Sequence, residues 1–406
     1  MSVISDMRGA PPRDLRALLS GLGSSSLGTS GLGTSGLGTS GLGTSGLGTS
    51  GLGTSGLGTS GLGTSRPGPG SAGLGMSAAR AFLGPLIEPP RDDQLFCPDA
   101  IRDDPVLGDR VDDQLVAWAK KVGIYPGRHD KLRSYGFGRF MMLAHPAVND
   151  PDRLLMATKC LVAEWAADDY YVDEVELGAD PAVVGSRLAR LISVVDPAQM
   201  VPRYATDMDE YHRLQPISEA FRTAMEHLAA YASTAQLGRF QHQMAILFLA
   251  WTQEADWHVN RRTPPVWEYL VQRHLNSYLP PMILVDVLAG YELSAHEFYH
   301  PDVRRALTTA GNAAVLVNDL HSGPAESDTD FNLPRVLAVN ENLSHREAMA
   351  RTVEIHNELM HTFVGLATQL STAGSPNMRR FLADIWAWLG GSRRWHATTG
   401  RYNHRS

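Results

Sequence analysis

Residues 31–65 are seven perfect copies of Gly-Leu-Gly-Thr-Ser, with imperfect copies at Gly21–Ser25, Ser26–Ser30 and Gly73–Ser77. A five-residue period matches neither the 3.6-residue period of a helix nor the two-residue period of a strand. Two glycines in every five positions also make ordering entropically costly. The repeat is therefore expected to be a disordered tail, and folding is confined to the residues C-terminal to it. Pro67, Pro69, Pro85, Pro89 and Pro90 mark the descent from tail to domain. The boundary falls near residue 94. Each repeat carries a single apolar side chain, always Leu. Evenly spaced leucines could dock weakly but many times on a repetitive partner, and the plainer alternative is a tether with no partner.

From residue 95 the pattern is helical. Leu115, Trp118, Ala119 and Val122 fall at i, i+3, i+4, i+7, the spacing of one helix face. Apolar runs of helical length cover Leu154–Trp165, Phe240–Trp257 and Ala313–Leu320, with shorter helices at Trp267–Leu275 and Arg379–Leu389. No run alternates as a half-buried strand would. The expectation is an all-α domain over residues 95–406.

Composition narrows the function. The net charge is −7. Residues 1–80 carry +3 (five Arg, two Asp), leaving −10 on the rest. An acidic body argues against nucleic acid as the partner. Two cysteines, Cys97 and Cys160, are too few for a disulfide framework or a thiolate zinc site, so a reducing cytoplasm is expected. No apolar run reaches membrane-span length, and the N-terminus lacks the pattern of a secretory signal.

Two polar clusters interrupt the helices. Asp168, Asp169, Asp173 and Glu174 end the run Leu154–Trp165. Four carboxylates so close repel one another unless a cation neutralises them; a solvated acidic helix end is the bland alternative. Asn318, Ser322 and Glu326 stand at i, i+4, i+8, so an unbroken helix would align three oxygen ligands along one stripe. Gly323-Pro324 argues for a break, which would bring Glu326 to the cluster only through a loop. Oxygen donors of this kind suit Mg²⁺, which often sits between a few carboxylates and substrate phosphates. Arg273 and the late pair Arg401-Tyr402 offer forked donors for phosphate oxygens. A rival pattern, Glu297-Phe-Tyr-His300 with Glu358-Leu-Met-His361, has the Glu-x-x-His spacing of helical di-iron sites. Pro301 and the shortage of further Glu partners count against it.

In order and spacing these motifs resemble the class I terpene synthases of bacteria, over residues 95–406. The family's aspartate-rich motif corresponds to Asp168–Glu174, and its Asn/Ser/Glu metal motif to Asn318, Ser322 and Glu326. Its diphosphate-sensing arginine corresponds to Arg273, 45 residues before that Asn, and its terminal Arg-Tyr pair to Arg401 and Tyr402. Finer stretches are similar to the 2-methylisoborneol synthase branch: Val122–Gly127, Phe137–Phe140 with His145-Pro146, Pro264–Tyr269, Asp286–Glu292, and Trp386–Gly391 followed by Trp395-His396. One departure stands out, because Ala325 occupies a position where many members carry a diphosphate-contacting Lys.

The resemblance implies an α-helical class I fold and a lyase that uses three Mg²⁺ ions to ionise and cyclise an allylic diphosphate. In the branch the substrate is 2-methylgeranyl diphosphate. Water capture of the cyclised cation would give 2-methylisoborneol, and deprotonation would give 2-methylenebornane. Another mono- or sesquiterpene cyclase is a further alternative, and a non-catalytic helical binding protein is the alternative of a different class. Aromatic faces stabilise such cations. The candidates are Trp118, Tyr125, Phe137, Trp165, Tyr170, Tyr171, Trp251, Trp257 and Trp395, of which three or four are expected to line the pocket. Long N-termini in this branch are similar to tags that load such enzymes into encapsulin shells, so the tail is read as an encapsulin cargo region. A homodimer completes the expectations.

Overall fold

The computed structural model describes residues 94–322 and 331–402. The repeat tail and Glu326 therefore lie outside the described residues. Helices of eight residues or more are α1 (Pro105–Val122), α2 (Phe137–Ala144), α3 (Pro151–Asp168), α4 (Val184–Val195), α5 (Pro202–Arg213) and α6 (Pro216–Ala229). They continue with α7 (Thr234–Val259), α8 (Val266–Leu275), α9 (Pro301–Ser322), α10 (Leu333–Glu341), α11 (His345–Ala373) and α12 (Pro376–Thr398). No strand occurs among the described residues, and every helical run read from the sequence falls inside one of these elements.

Local chemistry sets the ends. The Asp104 carboxylate accepts from Leu107 N ahead of α1, which begins at Pro105 and stops at Gly123 in a left-handed conformation (φ 83°). Ser233 with Gln236, and Ser344 with Glu347, form reciprocal capping boxes at the starts of α7 and α11. Leu115, Trp118, Ala119 and Val122 are all buried, as the spacing requires. Helix α12 packs on α2 backbone to backbone. A Cβ added at Gly391 would collide with the carbonyl group of Leu143, so only glycine fits there. On the other side of α2, Gly138 leaves room for α1, where a Cβ would stand 2.6 Å from Asp112 N. This close stacking brings Phe140 and Trp395 into ring contact at 4.7 Å and seats Trp165 edge-on against Phe137 at 4.9 Å.

Some branch motifs serve the scaffold. Asp286 is fully buried with Arg239; its Oδ2 accepts from Arg239 Nη1 at 2.9 Å and from Leu293 N at 3.1 Å. Helices α3 and α7 both run toward the end of the bundle where the acidic residues collect, and their C-terminal halves form two walls of the main cavity.

Candidate active site

A cavity of about 410 Å³ opens at that end, within the roughly 300–1,000 Å³ usual for small-ligand sites. One wall carries Glu164, Trp165 and Asp168 from α3, then Asp169, Asp173 and Glu174. The facing walls bring Leu247, Trp251 and Glu254 from α7, Arg273 from α8, and Val315, Asn318 and Ser322 from α9. Arg401, Tyr402, Lys131, Tyr135, Asn276, Ser277, Tyr278 and Phe331 complete it. Residues as far apart in sequence as Asp168 and Asn318 thus meet around one space. Every site residue expected from the sequence lines this cavity except Glu326, which lies outside the described residues.

The acidic wall is shaped by a change of helix type. After Asp168 the α-helix widens into a π turn, Asp169–Asp173, a form frequent at functional sites. Asp169 is buried and both its oxygens are engaged: Oδ2 accepts from the Tyr125 hydroxyl at 2.6 Å, and Oδ1 faces Arg401 Nη2 at 3.3 Å. Tyr125 holds a left-handed backbone (φ 52°) that costs a non-glycine residue energy, and its N–H donates to the Tyr170 hydroxyl at 2.8 Å. The stretch Val122–Gly127 therefore works as a bracket for Asp169. Glu174 is paired with Arg128 at 2.6 Å, and Asp173 is exposed at the rim. Burial, then the charges of Glu254 and Asp169, push the Asp168 carboxyl well above the usual carboxylate range; Arg401 and Arg273 offset this in part. An acidic cluster with that conflict is stabilised by a cation.

The opposite wall is the last turn of α9. Asn318 Nδ2 donates to the Tyr402 hydroxyl at 2.7 Å, and the residue lines the cavity. Ser322 Oγ is buried without a hydrogen-bond partner, the state expected of a ligand whose ion is not part of the chain. The helix is described only to Ser322, so the three-residue stripe extends through two of its members. Among the described residues no three carboxylate, imidazole or thiolate groups converge as a closed cage. The donor set is open, hard and two-walled, and it fits Mg²⁺, which retains waters and substrate oxygens in its shell.

Arg273 is fixed by a buried triad. Its Nη2 meets Asp319 Oδ1 at 2.5 Å and its Nε donates to the Tyr269 hydroxyl at 2.8 Å. That hydroxyl donates in turn to Asp319 Oδ2 at 2.8 Å. Arg401 lies over the Trp165 ring, 4.2 Å from its centroid, and over Tyr135 at 5.2 Å. His396 donates through Nδ1 to Ser392 O at 2.8 Å, which leaves Nε2 to accept from the Tyr278 hydroxyl at 3.1 Å. Tyr402 stacks on that imidazole at 5.9 Å.

The aromatic expectation needs correction. Of the nine candidates only Trp165 and Trp251 line the cavity, not three or four; Tyr135, Tyr278, Phe331 and Tyr402 supply the other rings. Trp118 turns away to donate to Thr223 Oγ1, Trp257 is buried donating to Glu268, and Trp395 stacks behind the wall on Phe140. Helical periodicity marks a buried face but does not say whether that face meets a neighbouring helix or a hole. The site residues missed by sequence reasoning are Glu164, Glu254, Asp319, Tyr269 and Lys131. For Glu164 and Glu254 a signal existed, since each is a carboxylate inside an otherwise apolar helical run. The Glu-x-x-His rival fails as a centre. Glu297 caps the start of α12 by accepting from Ser375 N, and His361 stacks on Phe96 at 4.0 Å.

Residues 159–362 match the model of the terpene synthase family 2, C-terminal metal binding. The chain belongs to the class I terpene synthase family. Within that family it falls in the 2-methylisoborneol synthase branch. It is 36% identical over 307 residues to a 2-methylisoborneol synthase of Streptomyces ambofaciens, covering 74% of this chain and 69% of that protein. To one of Saccharopolyspora erythraea it is 33% identical over 316 residues, covering 76% of this chain and 89% of the relative. The crystal structure of 2-methylisoborneol synthase from Streptomyces coelicolor in complex with Mg²⁺ and 2-fluoroneryl diphosphate superposes with a TM-score of 0.73 at 33% identity, over 76% of this chain and 97% of that one. The chain is accordingly a terpene cyclase, and its substrate is a small molecule.

Proposed function

We propose that the protein ionises and cyclises 2-methylgeranyl diphosphate to 2-methylisoborneol, with release of inorganic diphosphate, in a reaction that requires Mg²⁺. The observation that carries this reading is the pairing of walls: Asp168 on α3 faces Asn318 and Ser322 on α9 across one cavity, with Arg273 and Arg401 beside them. The relatives' names and the magnesium and diphosphate analogue in the related crystal structure support the same assignment.

Asp168, Asp173 and Glu174 on one side, and Asn318, Ser322 and Glu326 on the other, would hold the ions, three in number by the family resemblance. Bound Mg²⁺ supplies stabilisation of the charge that develops on the departing diphosphate. Asp169 has its oxygens committed to Tyr125 and Arg401, so its part is to set the terminal arginine rather than to ligate. Arg273 and Arg401 present guanidinium N–H groups to the leaving group. Below them Trp165, Trp251 and Tyr278 turn rings and Leu247 and Val315 turn aliphatic groups to the hydrocarbon. That lining stabilises an allylic cation and keeps bulk water from quenching it.

The test is product analysis by gas chromatography–mass spectrometry of purified protein supplied with Mg²⁺ and, separately, 2-methylgeranyl, geranyl and farnesyl diphosphate. The expected result is 2-methylisoborneol from the methylated C11 substrate, abolished by EDTA. 2-Methylenebornane as sole product, or preference for one of the unmethylated substrates, would replace the assignment with another cyclase of the same class. No product from any of them would leave a helical binding protein.

A further inference from the structure

Deep in the cavity two polar side chains stand where hydrocarbon should lie. Glu164 is 4% exposed and its Oε1 has no hydrogen-bond partner; Trp251 is 3% exposed and its Nε1–H has none. Both residues line the cavity. Unpaired buried polar atoms are rare, because each forfeits its solvation without return. Finding an unpaired acceptor and an unpaired donor on the lining of one cavity calls for a shared explanation.

Their level in the site can be read from the helices that carry them. Glu164 lies four residues before Asp168 on α3, on the same face and about 6 Å further down the axis. Trp251 lies three residues before Glu254 on α7, about 4.5 Å down. Glu254 is the charge that acts most strongly on Asp168, so the two helices face each other at the level of the acidic cluster. Both helices run toward that end, and Glu164 and Trp251 therefore both sit about one turn below the level at which ionisation would occur. Val315, three residues before Asn318 on α9, is an aliphatic lining residue at a comparable level, and Leu247 lies a further turn down α7.

We propose that Glu164 and Trp251 together hold the single water molecule that ends the reaction, and so decide that the product is an alcohol. The proposal rests on the cyclase reading above. A buried water needs two to four polar partners; the indole N–H donates to its oxygen, and the Glu164 carboxyl oxygen accepts one of its hydrogens. Burial pushes the Glu164 carboxyl well above its usual range, which disfavours the ionised form that would trap the cation as an ester. In the capture step the water oxygen gives a lone pair to the cationic carbon and a C–O bond forms. The resulting oxonium loses one proton to the released diphosphate, the strongest base in the chamber, and the neutral alcohol remains. Without a held water the same cation loses a proton from an adjacent carbon, again to diphosphate, and an alkene results.

The experiment measures alcohol formed per diphosphate released, a ratio independent of overall rate, with 2-methylgeranyl diphosphate and Mg²⁺. Wild type should incorporate ¹⁸O from labelled water into its alcohol. Glu164→Leu should lower the ratio at least about tenfold, the discrimination expected from losing one hydrogen bond to a reacting group, with alkene rising to match. Glu164→Gln keeps an amide oxygen acceptor and should retain most of the alcohol. Trp251→Phe keeps the ring and removes the N–H, and should shift the ratio the same way; it decides the matter if Glu164→Leu does not fold. An unchanged ratio in Glu164→Leu and Trp251→Phe overturns the proposal, as does a wild type that makes alkene alone. Failure of wild type to release diphosphate from any allylic substrate would instead overturn the cyclase reading itself.

Discussion

The Arg273–Asp319 pair is where stability and function are most tightly joined. Asp319 has no exposed side-chain surface and Arg273 only 11%. The carboxylate accepts from Arg273 Nη2 at 2.5 Å, from the Tyr269 hydroxyl at 2.8 Å and from Leu333 N at 3.0 Å. Asp319→Ala would strip the buried guanidinium of its hydrogen-bonded carboxylate and take an acceptor from the Tyr269 hydroxyl and from Leu333 N. Breaking a buried pair from one side costs about 3–5 kcal/mol. For a domain of this size each kcal/mol shifts Tm by roughly 2–4 °C, so a fall of about 6–20 °C is expected in a thermal melt followed by circular dichroism. Arg273→Met combined with Asp319→Leu removes both charges and should melt well above the single Asp319→Ala variant, because no orphan charge remains. Calorimetry with inorganic diphosphate and Mg²⁺ separates the second role: the double variant should bind diphosphate more weakly despite its recovered fold. A single Asp319→Ala variant melting within about 1 °C of wild type would refute the reasoning, since surface pairs contribute at most about 1 kcal/mol.

Asp168→Ala and Asn318→Ala should abolish product formation while leaving Tm nearly unchanged, because a cation ligand serves the transition state rather than the fold; wild-type yield from either would remove it from the metal site. Lys131 lines the cavity mouth, exposed, and offers a charge where Ala325 has none; Lys131→Ala should raise KM by several-fold, about 1 kcal/mol of lost charge-assisted contact discounted for exposure, and an unmoved KM would show that it does not reach the substrate. His145 is buried with Nε2 unpartnered and its pKa is pushed by burial down to about 3. A folded pKa below the unfolded 6.5 means full stability above pH 6.5 and loss as pH falls toward 3, by about 2 kcal/mol at pH 5; a Tm that is flat from pH 8 to 5, or falls equally in His145→Gln, would contradict this. Deletion of residues 1–85 should leave turnover intact, since every candidate ligand lies beyond it, and should abolish co-purification with a co-expressed encapsulin shell if the leucine repeats are the docking element.

The range of each interaction decides whether the sequence discloses it. Helix positions are legible because periodicity and capping are local: Leu115, Trp118, Ala119 and Val122 announce their own face, and Ser344 with Glu347 announce the start of α11. The carboxylates of Asp168–Glu174 and the polar stripe at Asn318 and Ser322 are legible because their residue types are costly beside a core and need a reason. Tyr125 reads in the sequence as an aromatic candidate for the pocket, yet its work is to hold Asp169, 44 residues away, from a strained turn. Nothing in the local pattern distinguishes those roles, because the difference is set by where another helix ends.

Asp319 shows the same limit from inside a motif. It sits next to Asn318 in sequence, but one residue is a turn of about 100° around a helix. Asn318 therefore faces the cavity and Tyr402, whereas Asp319 faces Arg273 and the start of α10. The pair couples the two walls through a single turn of α9. A substrate that draws Arg273 toward its diphosphate must pull against Asp319, and through Leu333 N against the first turn of α10. Tyr269→Phe tests this coupling: loss of the hydroxyl that bridges Arg273 and Asp319 should lower Tm in a thermal melt and, with it, the affinity for inorganic diphosphate and Mg²⁺ measured by calorimetry. A fall in Tm with diphosphate affinity unchanged would show that holding Arg273 and binding diphosphate are independent.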